Sequence, residues 1–291
     1  MENRATIGWL GVGKMGQPMV RRLLAANYHV VVYDRDPANG RTVIGDGARL
    51  ATSPQDLLQA ADIIMSMIPN DQVLDELVSG ESGLAGKLRP DQIFVELSTV
   101  SPKISSKVAR ELMTPRYLRA PVSGSTQTAE TGSLTVVVSG PKEDFDICQP
   151  ILEAFSSRQY YVGQKEEARF LKLVLNSLVA ANASLMADAL RLGHAGGLSR
   201  STMMEIICES AVTSPLLKYK RDNIVRNDYP PAFSVSQMVK DTGLIAQAAA
   251  EADIDMAINA ICLDRFRHAA SCGLEEQDFF VLTSEDLSLD T

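Results

Sequence analysis

Three glycines near the beginning of the chain have the spacing of a phosphate-binding turn. They follow the apolar run 7–10, and the first of them permits a tight turn from strand to helix. The second lets the backbone approach a pyrophosphate, and the third lets the new helix pack on its strand. The start of that helix offers N–H groups and a positive dipole end to the phosphates. The residues expected to contact a dinucleotide here are Gly11, Val12, Gly13, Lys14, Met15 and Gly16.

An acidic residue ends the next apolar run. Asp34 follows the glycines by roughly 20 residues, where a carboxylate hydrogen-bonds ribose hydroxyls and repels a 2′-phosphate. This favours NAD. Arg35 comes next, and a guanidinium at that place can stack on adenine or hold the 2′-phosphate of NADP, so NADP stays open. The alternative is that Asp34 only begins the turn that continues to Pro37.

A lysine and an asparagine in the second half of the chain could move a proton. Lys172 and Asn176 are four residues apart, so a helix places them on one face. A desolvated lysine can work as a general acid or base, and the asparagine can hold its ammonium in place. The alternative is a solvated lysine on an amphipathic helix.

Other candidates for proton transfer have weaker contexts. His29 begins an apolar strand, and His194 and His268 lie in helical segments without an acidic residue placed to orient them, which favours structural roles for all three. Tyr161 and Lys165 have the spacing of a tyrosine–lysine pair on a helix, but Gly163 between them and the strand before it make a helix unexpected there. We interpret that spacing as a coincidence.

The elements that must position these residues form two regions. Short apolar runs alternate with helical segments up to about Gly163, at 62–69, 92–97 and 135–138 among others, which predicts a parallel sheet covered by helices on both faces. Ligands then bind beyond the carboxyl ends of the strands. From about Glu166 the sequence is helical, with a long first helix from about Ala168 to His194. We therefore predict an α/β dinucleotide-binding domain of Rossmann type with a mostly parallel sheet, residues 1–163, and an all-α domain for substrate and oligomerisation, residues 164–291.

Composition narrows the possible partners. A net charge of −8 argues against nucleic acid, and the chain carries no run of about 18 uninterrupted apolar residues, which argues against a membrane. The four cysteines have no spacing of a disulfide framework or zinc site, so we expect core thiols and no metal. These features predict a cytoplasmic protein. The long apolar helical faces predict a homodimer or homotetramer, and the chain from Leu282 onward is expected to fray.

The motifs occur together in the order of a known family. The chain resembles the β-hydroxyacid dehydrogenases, which include 3-hydroxyisobutyrate dehydrogenase, tartronate semialdehyde reductase and sulfolactaldehyde reductase. The segments that carry the resemblance are G-x-G-x-M-G-x-P-M at 11–19, Ile68-Pro69-Asn70, Ser98-Thr99, Ala120-Pro121-Val122-Ser123-Gly124, Lys172 with Asn176, and Lys240-Asp241.

The resemblance implies a reaction and a set of roles. It implies hydride transfer between NAD or NADP and a small anionic 3-hydroxy acid or its semialdehyde, at a site between a Rossmann and a helical domain. Lys172 would be the acid and base, with Asn176 as its companion. The remaining implied roles are substrate binding by Ser123, Gly124, Ser125 and Arg119, closure of the site by Phe233 and Asp241, and cofactor contacts by Ile68, Pro69, Thr99 and Lys240.

The sequence departs from the family pattern at four positions. Arg119 stands where the family has an acid, Ser125 where it has a second glycine, and Glu166 and Ala168 where it has two glycines before the lysine. These departures bear on substrate identity more than on reaction type. Two alternatives remain, an imine reductase of the same architecture and a dinucleotide-binding module without catalysis.

Overall fold

The structure is a computed structural model that describes residues 5–81, 83–114 and 116–288. Its contacts divide the chain into two units, Met1–Lys172 and Leu173–Thr291. The division falls nine residues after the expected boundary, because the first turns of a long helix pack with the sheet of the first unit.

Short, deeply buried strands build the first unit. The run of Ile7–Leu10 and those of Ile63–Ser66 and Ile93–Glu96 are buried along their whole length, as expected of a sheet covered on both faces. In the described residues, nine strands form one sheet. They are Ile7–Leu10 (β1), Val30–Tyr33 (β2), Arg49–Leu50 (β3), Ile63–Ser66 (β4), Ile93–Glu96 (β5), Tyr117–Arg119 (β6), Val122–Ser123 (β7), Leu134–Ser139 (β8) and Ser156–Gly163 (β9).

The strand order confirms the predicted Rossmann-type fold. The order is β3-β2-β1-β4-β5-β6-β8-β7, with β9 on β8, and the strands from β3 to β6 are parallel. The strand order reverses beside β1, because β2 and β3 lie on one side of it and β4 to β6 on the other. The carboxyl ends of β1 and β4 therefore border the crevice where such sheets bind ligands.

The expectation of a parallel strand at 135–138 was wrong. β8 pairs antiparallel with β6 and β7, and parallel only with β9. The ten residues between β7 and β8 hold one short helix, which is too short for the crossover that a parallel pair requires.

Helices cover the sheet, and polar caps begin most of them. Serine or asparagine side chains accept the first free N–H groups of several helices, and proline often occupies the first turn. The helices of the first unit are Gly16–Ala25 (α1), Pro37–Arg41 (α2), Pro54–Ala60 (α3), Asp71–Ser79 (α4), Pro102–Glu111 (α5), Thr126–Glu130 (α6) and Lys142–Leu152 (α7).

A helix of 29 residues, Glu167–Ala195 (α8), runs from the first unit into the second. It confirms the long helix expected from about Ala168. The second unit continues with Arg200–Glu209 (α9), Pro215–Arg226 (α10), Val235–Glu251 (α11) and Ala257–Ala269 (α12). A π-type turn at Ala270–Leu274 and a 3-10 helix at Phe279–Thr283 follow, so this unit is all-helical in the described residues.

α8 is also the one helix in the described residues that is long and apolar enough to cross a membrane. Its most apolar window has a mean hydropathy of 1.5 and is 39% buried. This is weak evidence, because the core helix of a soluble protein passes the same test. Arg169 and Asn176 on this helix are buried with polar partners inside the protein, which is typical of a core helix.

Two smaller expectations were wrong. The chain does not fray at Leu282, since the 3-10 helix packs Phe280 and Leu282 into the core of the second unit and Leu287 is buried after it. The cysteines are free thiols, but Cys272 is exposed instead of buried. The other three, Cys148, Cys208 and Cys262, are core thiols as expected.

Candidate active site

The glycine turn after β1 leaves no room for side chains at its two ends. Gly11 has a φ of 91°, and a Cβ on it would lie 2.3 Å from the carbonyl oxygen of Met67, which follows β4. A Cβ on Gly16 would lie 2.2 Å from the carbonyl oxygen of Gly11. Both distances are far below van der Waals contact, so glycine is required where α1 approaches the sheet.

Gly13 differs from the other two glycines because its missing side chain leaves open space. A Cβ there would meet nothing within 4 Å. Beside it α1 begins with Met15 at the cap position, without a side-chain hydrogen bond and without an acidic residue in the first turn. The turn therefore offers both the N–H groups at the start of α1 and open space beside Gly13, which fits the pyrophosphate of a dinucleotide. Lys14 is exposed next to Gly13.

The carboxylate of Asp34 is held at the end of β2. Its Oδ2 accepts the N–H of Val12 at 2.7 Å, and its Oδ1 accepts the N–H of Asp36 at 2.9 Å and the Asn39 amide at 3.2 Å. The acid thus lies against the glycine turn. Arg35 has a side chain 81% exposed, and its Nη1 lies 3.5 Å from the Glu76 carboxylate.

The loops after β4 and β5 are tied together. The Oγ of Ser98 accepts the N–H of Ile68 at 2.7 Å, and the N–H of Ser98 donates to Glu96 Oε1 at 2.9 Å. Pro69 is exposed and Thr99 is half-buried. These loops follow the carboxyl ends of β4 and β5, as the sequence predicted.

The residues 123–125 form a turn between β7 and α6. Gly124 has a φ of 142°, and a Cβ on it would lie 2.3 Å from Thr128 Oγ1. Ser125 is the N-cap of α6: its N–H donates to Thr128 Oγ1 at 2.7 Å, and its Oγ accepts the N–H of Thr128 at 3.4 Å. The serine that replaces a family glycine therefore begins a helix, while Ser123 is half-buried at the end of β7.

Two of the departures from the family pattern pair with each other. The guanidinium of Arg119 contacts Glu166 Oε1 at 2.6 Å, with side chains 10% and 15% exposed, and lies 4.3 Å from the centre of the Tyr117 ring. The sequence alone shows no link between these two residues, and the family resemblance placed Arg119 at the substrate. These contacts favour a structural role for both.

Lys172 and Asn176 lie four residues apart on α8, the first half-buried and the second buried. Asn176 donates its Nδ2 to Asp241 Oδ2 at 2.5 Å. Asp241 is 1% exposed, and its Oδ1 lies 3.0 Å from the ammonium of Lys240. The bond to Asp241 fixes the plane of the Asn176 amide and so sets the direction from which its Oδ1 can accept a hydrogen bond.

A second buried acid in the helical unit holds Phe233. Asp278 Oδ2 accepts the N–H of Phe233 at 3.3 Å and the ammonium of Lys220 at 2.7 Å. The Phe233 ring packs edge to face on Phe279, with centroids 5.9 Å apart. The side chains of Lys220 and Asp278 are 4% and 2% exposed. Sequence reasoning missed this pair.

A second missed pair lies in the first unit. Arg169 and Glu96 form an ion pair with side chains 1% and 0% exposed. The sequence does contain one indication of this pair, the charged Glu96 at the end of an apolar run. A glutamate there is almost never fully buried unless it has a partner of opposite charge.

The remaining candidates take no part in a helix-based site. Tyr161 belongs to β9 and donates its hydroxyl to the carbonyl of Gly140 at 2.9 Å, and Lys165 precedes α8, so the two do not share a helix turn. Among the described residues, no group of three or more His, Cys, Asp or Glu side chains could hold a metal ion.

Two family models match the chain. The model described as the NAD binding domain of 6-phosphogluconate dehydrogenase matches residues 6–163. The model described as NAD-binding of NADP-dependent 3-hydroxyisobutyrate dehydrogenase matches residues 167–283. Together they account for both regions of the chain.

Known proteins resemble the chain over nearly its whole length. The 2-(hydroxymethyl)glutarate dehydrogenase of Eubacterium barkeri is 32% identical, covering 96% of this chain and 93% of its own. The mitochondrial 3-hydroxyisobutyrate dehydrogenase of Mus musculus is 28% identical, covering 96% and 86%.

Solved structures share the fold. A 3-hydroxyisobutyrate dehydrogenase of Mycobacterium tuberculosis has a TM-score of 0.86 at 23% identity, covering 96% of this chain and 98% of its own. An imine reductase from Pseudomonas sp. has a TM-score of 0.60 at 21% identity, with the same coverage. The likeness to the imine reductase is therefore the weaker of the two.

Proposed function

This chain belongs to the β-hydroxyacid dehydrogenase family, and we propose that Lys172 is the general acid and base of its reaction. The enzyme is an NAD(P)-dependent oxidoreductase that interconverts a small 3-hydroxy acid and the matching semialdehyde. The observation that carries the proposal is the buried hydrogen bond from the Asn176 amide to Asp241. Asn176 follows Lys172 by four residues on α8, so the two side chains lie on one face of the helix. A buried amide fixed by a carboxylate beside a lysine is suited to holding an ammonium or a substrate hydroxyl.

The proton and the hydride have separate sources. When bound, the dinucleotide supplies hydride to the carbonyl carbon, or accepts it in the reverse direction. Lys172 donates a proton to the carbonyl oxygen as that oxygen gains charge, which yields the hydroxyl group and a neutral amine. In the oxidation, the neutral amine takes the hydroxyl proton back.

Ser123 and the backbone of Gly124 are proposed to bind the carboxylate or equivalent anion of the substrate. A hydroxyl and N–H groups at a strand end can hold an anion in an acidic protein. Phe233 and Asp241 close the site in this proposal, Asp241 by holding the amide of Asn176. Thr99 and Lys240 border the nicotinamide. Ser125 and Arg119 are left out, because a helix cap and an ion pair already use their polar groups.

For the cofactor we propose NAD over NADP. Asp34 already lies on the N–H of Val12, so its charge stands where a 2′-phosphate would be repelled. The exposed Arg35 offers no fixed site on this side of the turn, since its observed partner is a surface carboxylate. The open space at Gly13 and the uncapped start of α1 would take the pyrophosphate.

We also propose a homodimer or homotetramer that acts in the cytoplasm. Four apolar side chains on α8, Val174, Leu178, Leu185 and Leu192, are 53% to 78% exposed. At about 100° a residue they fall in one narrow arc, and such a contiguous apolar surface is typical of an interface. Four free thiols suit a reducing compartment.

The test follows the absorbance of NADH and NADPH with a panel of small semialdehydes. We expect NADH oxidation with at least one anionic semialdehyde in the parent protein, and loss of it in Lys172→Met. Lys165→Met is the control, since this exposed lysine precedes the same helix. Turnover that survives in Lys172→Met would overturn the proposed role. Turnover only with cyclic imines would favour the imine reductase alternative.

A further inference from the structure

One guanidinium in the first unit is completely enclosed by the protein. Arg169 lies in the first turn of α8, and its side chain is 1% exposed. Its Nη2 contacts Glu96 Oε2, and Glu96 is the last residue of β5, with its side chain fully buried. Burial alone would lower the pKa of Arg169, but the Glu96 carboxylate and the Tyr117 hydroxyl outweigh it and raise the pKa.

The other donors of Arg169 reach three neighbouring elements. Nη1 donates to the carbonyl oxygen of Ser98 at 2.7 Å, and Nη2 to the hydroxyl of Tyr117 at 3.2 Å. Nε donates to the Oγ of Ser105 in α5 at 3.3 Å. The planar fork thus joins α8 to β5, β6 and α5, a geometry that the single point charge of a lysine cannot reproduce.

Ser98 is fixed at all three of its polar groups by this network. Glu96 Oε1 accepts its N–H at 2.9 Å, Arg169 donates to its carbonyl, and its Oγ accepts the N–H of Ile68. Thr99, which follows directly, is a proposed neighbour of the nicotinamide. The position of that loop therefore depends on the ion pair.

The same guanidinium fixes the part of α8 that carries the proposed acid. Lys172 comes three residues after Arg169, so the two side chains leave the helix on neighbouring sides. A buried ion pair adds little stability over two apolar side chains of the same size, because desolvation offsets the attraction. Its value here is that it specifies one geometry.

We propose that Arg169 is a positioning residue, which through Glu96 and Ser98 holds the cofactor loop and the first turn of α8 in one arrangement. It touches neither substrate nor dinucleotide. It sets where Lys172 stands relative to the loop at Thr99. This inference rests on the proposed role of Lys172 as acid and base.

The experiment separates positioning from stability with paired variants. Arg169→Lys keeps the charge and removes the fork, while Arg169→Met combined with Glu96→Met removes both charges and leaves an apolar pair. The control is Arg116→Met, which breaks an ion pair of the same unit in which the Asp144 side chain is 5% exposed. For each variant we measure the thermal midpoint, the number of sites that bind NADH by fluorescence titration, and kcat and KM per binding site.

A positioning role predicts that kcat per binding site falls even in variant protein that is fully folded. We expect the Arg169→Met, Glu96→Met double variant (the Met–Met variant) to unfold at a lower midpoint than the parent, because buried polar groups of Ser98 and Tyr117 lose their partners. At a temperature where it is fully folded it should bind NADH at full stoichiometry, with kcat lower on the order of ten- to hundredfold and little change in KM. Arg169→Lys should fall in the same range, and Arg116→Met should keep kcat per site. A Met–Met variant with the kcat of the parent would overturn the inference.

The test also separates this inference from the proposed function. If the parent turns over and Lys172→Met does not, but the Arg169 variants keep kcat per site, only the positioning role is wrong. If Lys172→Met turns over as fast as the parent, the proposed function fails and the inference fails with it.

Discussion

The role open to each residue at this site depends on the partners that its polar atoms already have within the protein. Asp34 gives one oxygen to the glycine turn and the other to the turn that follows β2, so it serves structure and specificity together. Arg119 and Ser125 looked like substrate ligands in the sequence, yet an ion pair and a helix cap use them. Residue type and spacing singled out Lys172 and Asn176 as candidates, and the family resemblance gave them their proposed roles. Asp241 came only from the resemblance, as a residue that closes the site, and its bond to Asn176 is visible only in the structure.

Removing the carboxylate of Asp34 should weaken the discrimination between the two dinucleotides. In Asp34→Ala we expect the KM for NADH to rise about tenfold or more, because hydrogen bonds to a charged group contribute about 1.5–3 kcal/mol. The KM for NADPH should fall or stay level, since the charge that repels a 2′-phosphate is gone. Steady-state kinetics with both dinucleotides measure this. An unchanged ratio of the two kcat/KM values would contradict the assignment.

The four thiols should react very differently with an alkylating reagent. Burial raises the pKa of Cys148 to about 12, so almost no thiolate forms there below pH 9, while Cys272 is exposed. Iodoacetamide should add one label per native chain, read by intact mass, and none in Cys272→Ser. Three or four labels on the native protein would show that the core is more open than the structure has it.

Among the secondary-structure elements, the parallel strands and the long helix were predicted well from the sequence, because both follow from patterns of neighbouring residues. Continuous apolar runs mark β1, β4 and β5, and α8 is a long run of helix formers. The antiparallel pairing of β8 with β6 and β7 was missed. The direction of pairing depends on the length of the connection and on which strand edge is available for pairing, and a local pattern shows neither. The pairs Arg119–Glu166 and Arg169–Glu96 join residues 47 and 73 positions apart, which no local pattern shows.

The Arg119–Glu166 pair should act as one unit that connects β6 to the start of α8. Arg119→Met leaves a largely buried carboxylate without its partner, and we expect a loss of about 3–5 kcal/mol in the free energy of unfolding. Arg119→Met with Glu166→Met should regain most of that loss. Urea unfolding followed by circular dichroism measures both. Equal destabilisation in the single and the double variant would mean that the pair has no energetic coupling.

At the scale of the whole molecule, α8 both carries the proposed acid and exposes an apolar arc. The fold of one chain does not bury all the apolar side chains of this helix, since Leu178, Leu185 and Leu192 are more than half exposed. The sequence indicated this surface through the length of its apolar faces, but not the particular arc, which depends on which sides of α8 the other helices cover.

A charge in the middle of that arc should prevent assembly. Leu185→Glu should convert the parent oligomer to monomer at micromolar concentration, because an ionised carboxylate would have to lose its water in the interface. Gln247→Glu, on the exposed side of α11, adds the same charge as a control. Light scattering after size exclusion gives the mass. A parent that is already monomeric, or a Leu185→Glu oligomer of parent size, would contradict the proposed interface.

Proton transfer by Lys172 is the central step of the proposed reaction, and a single-turnover measurement tests it without the contribution of product release. Saturated with NADH and the best semialdehyde, Lys172→Ala should oxidise NADH about a hundredfold or more slower than the parent, within the range that general acid catalysis provides. Added primary amines should restore part of the rate, and do so in proportion to the fraction that is protonated. A rate in Lys172→Ala close to that of the parent, with no response to amines, would show that another group supplies the proton.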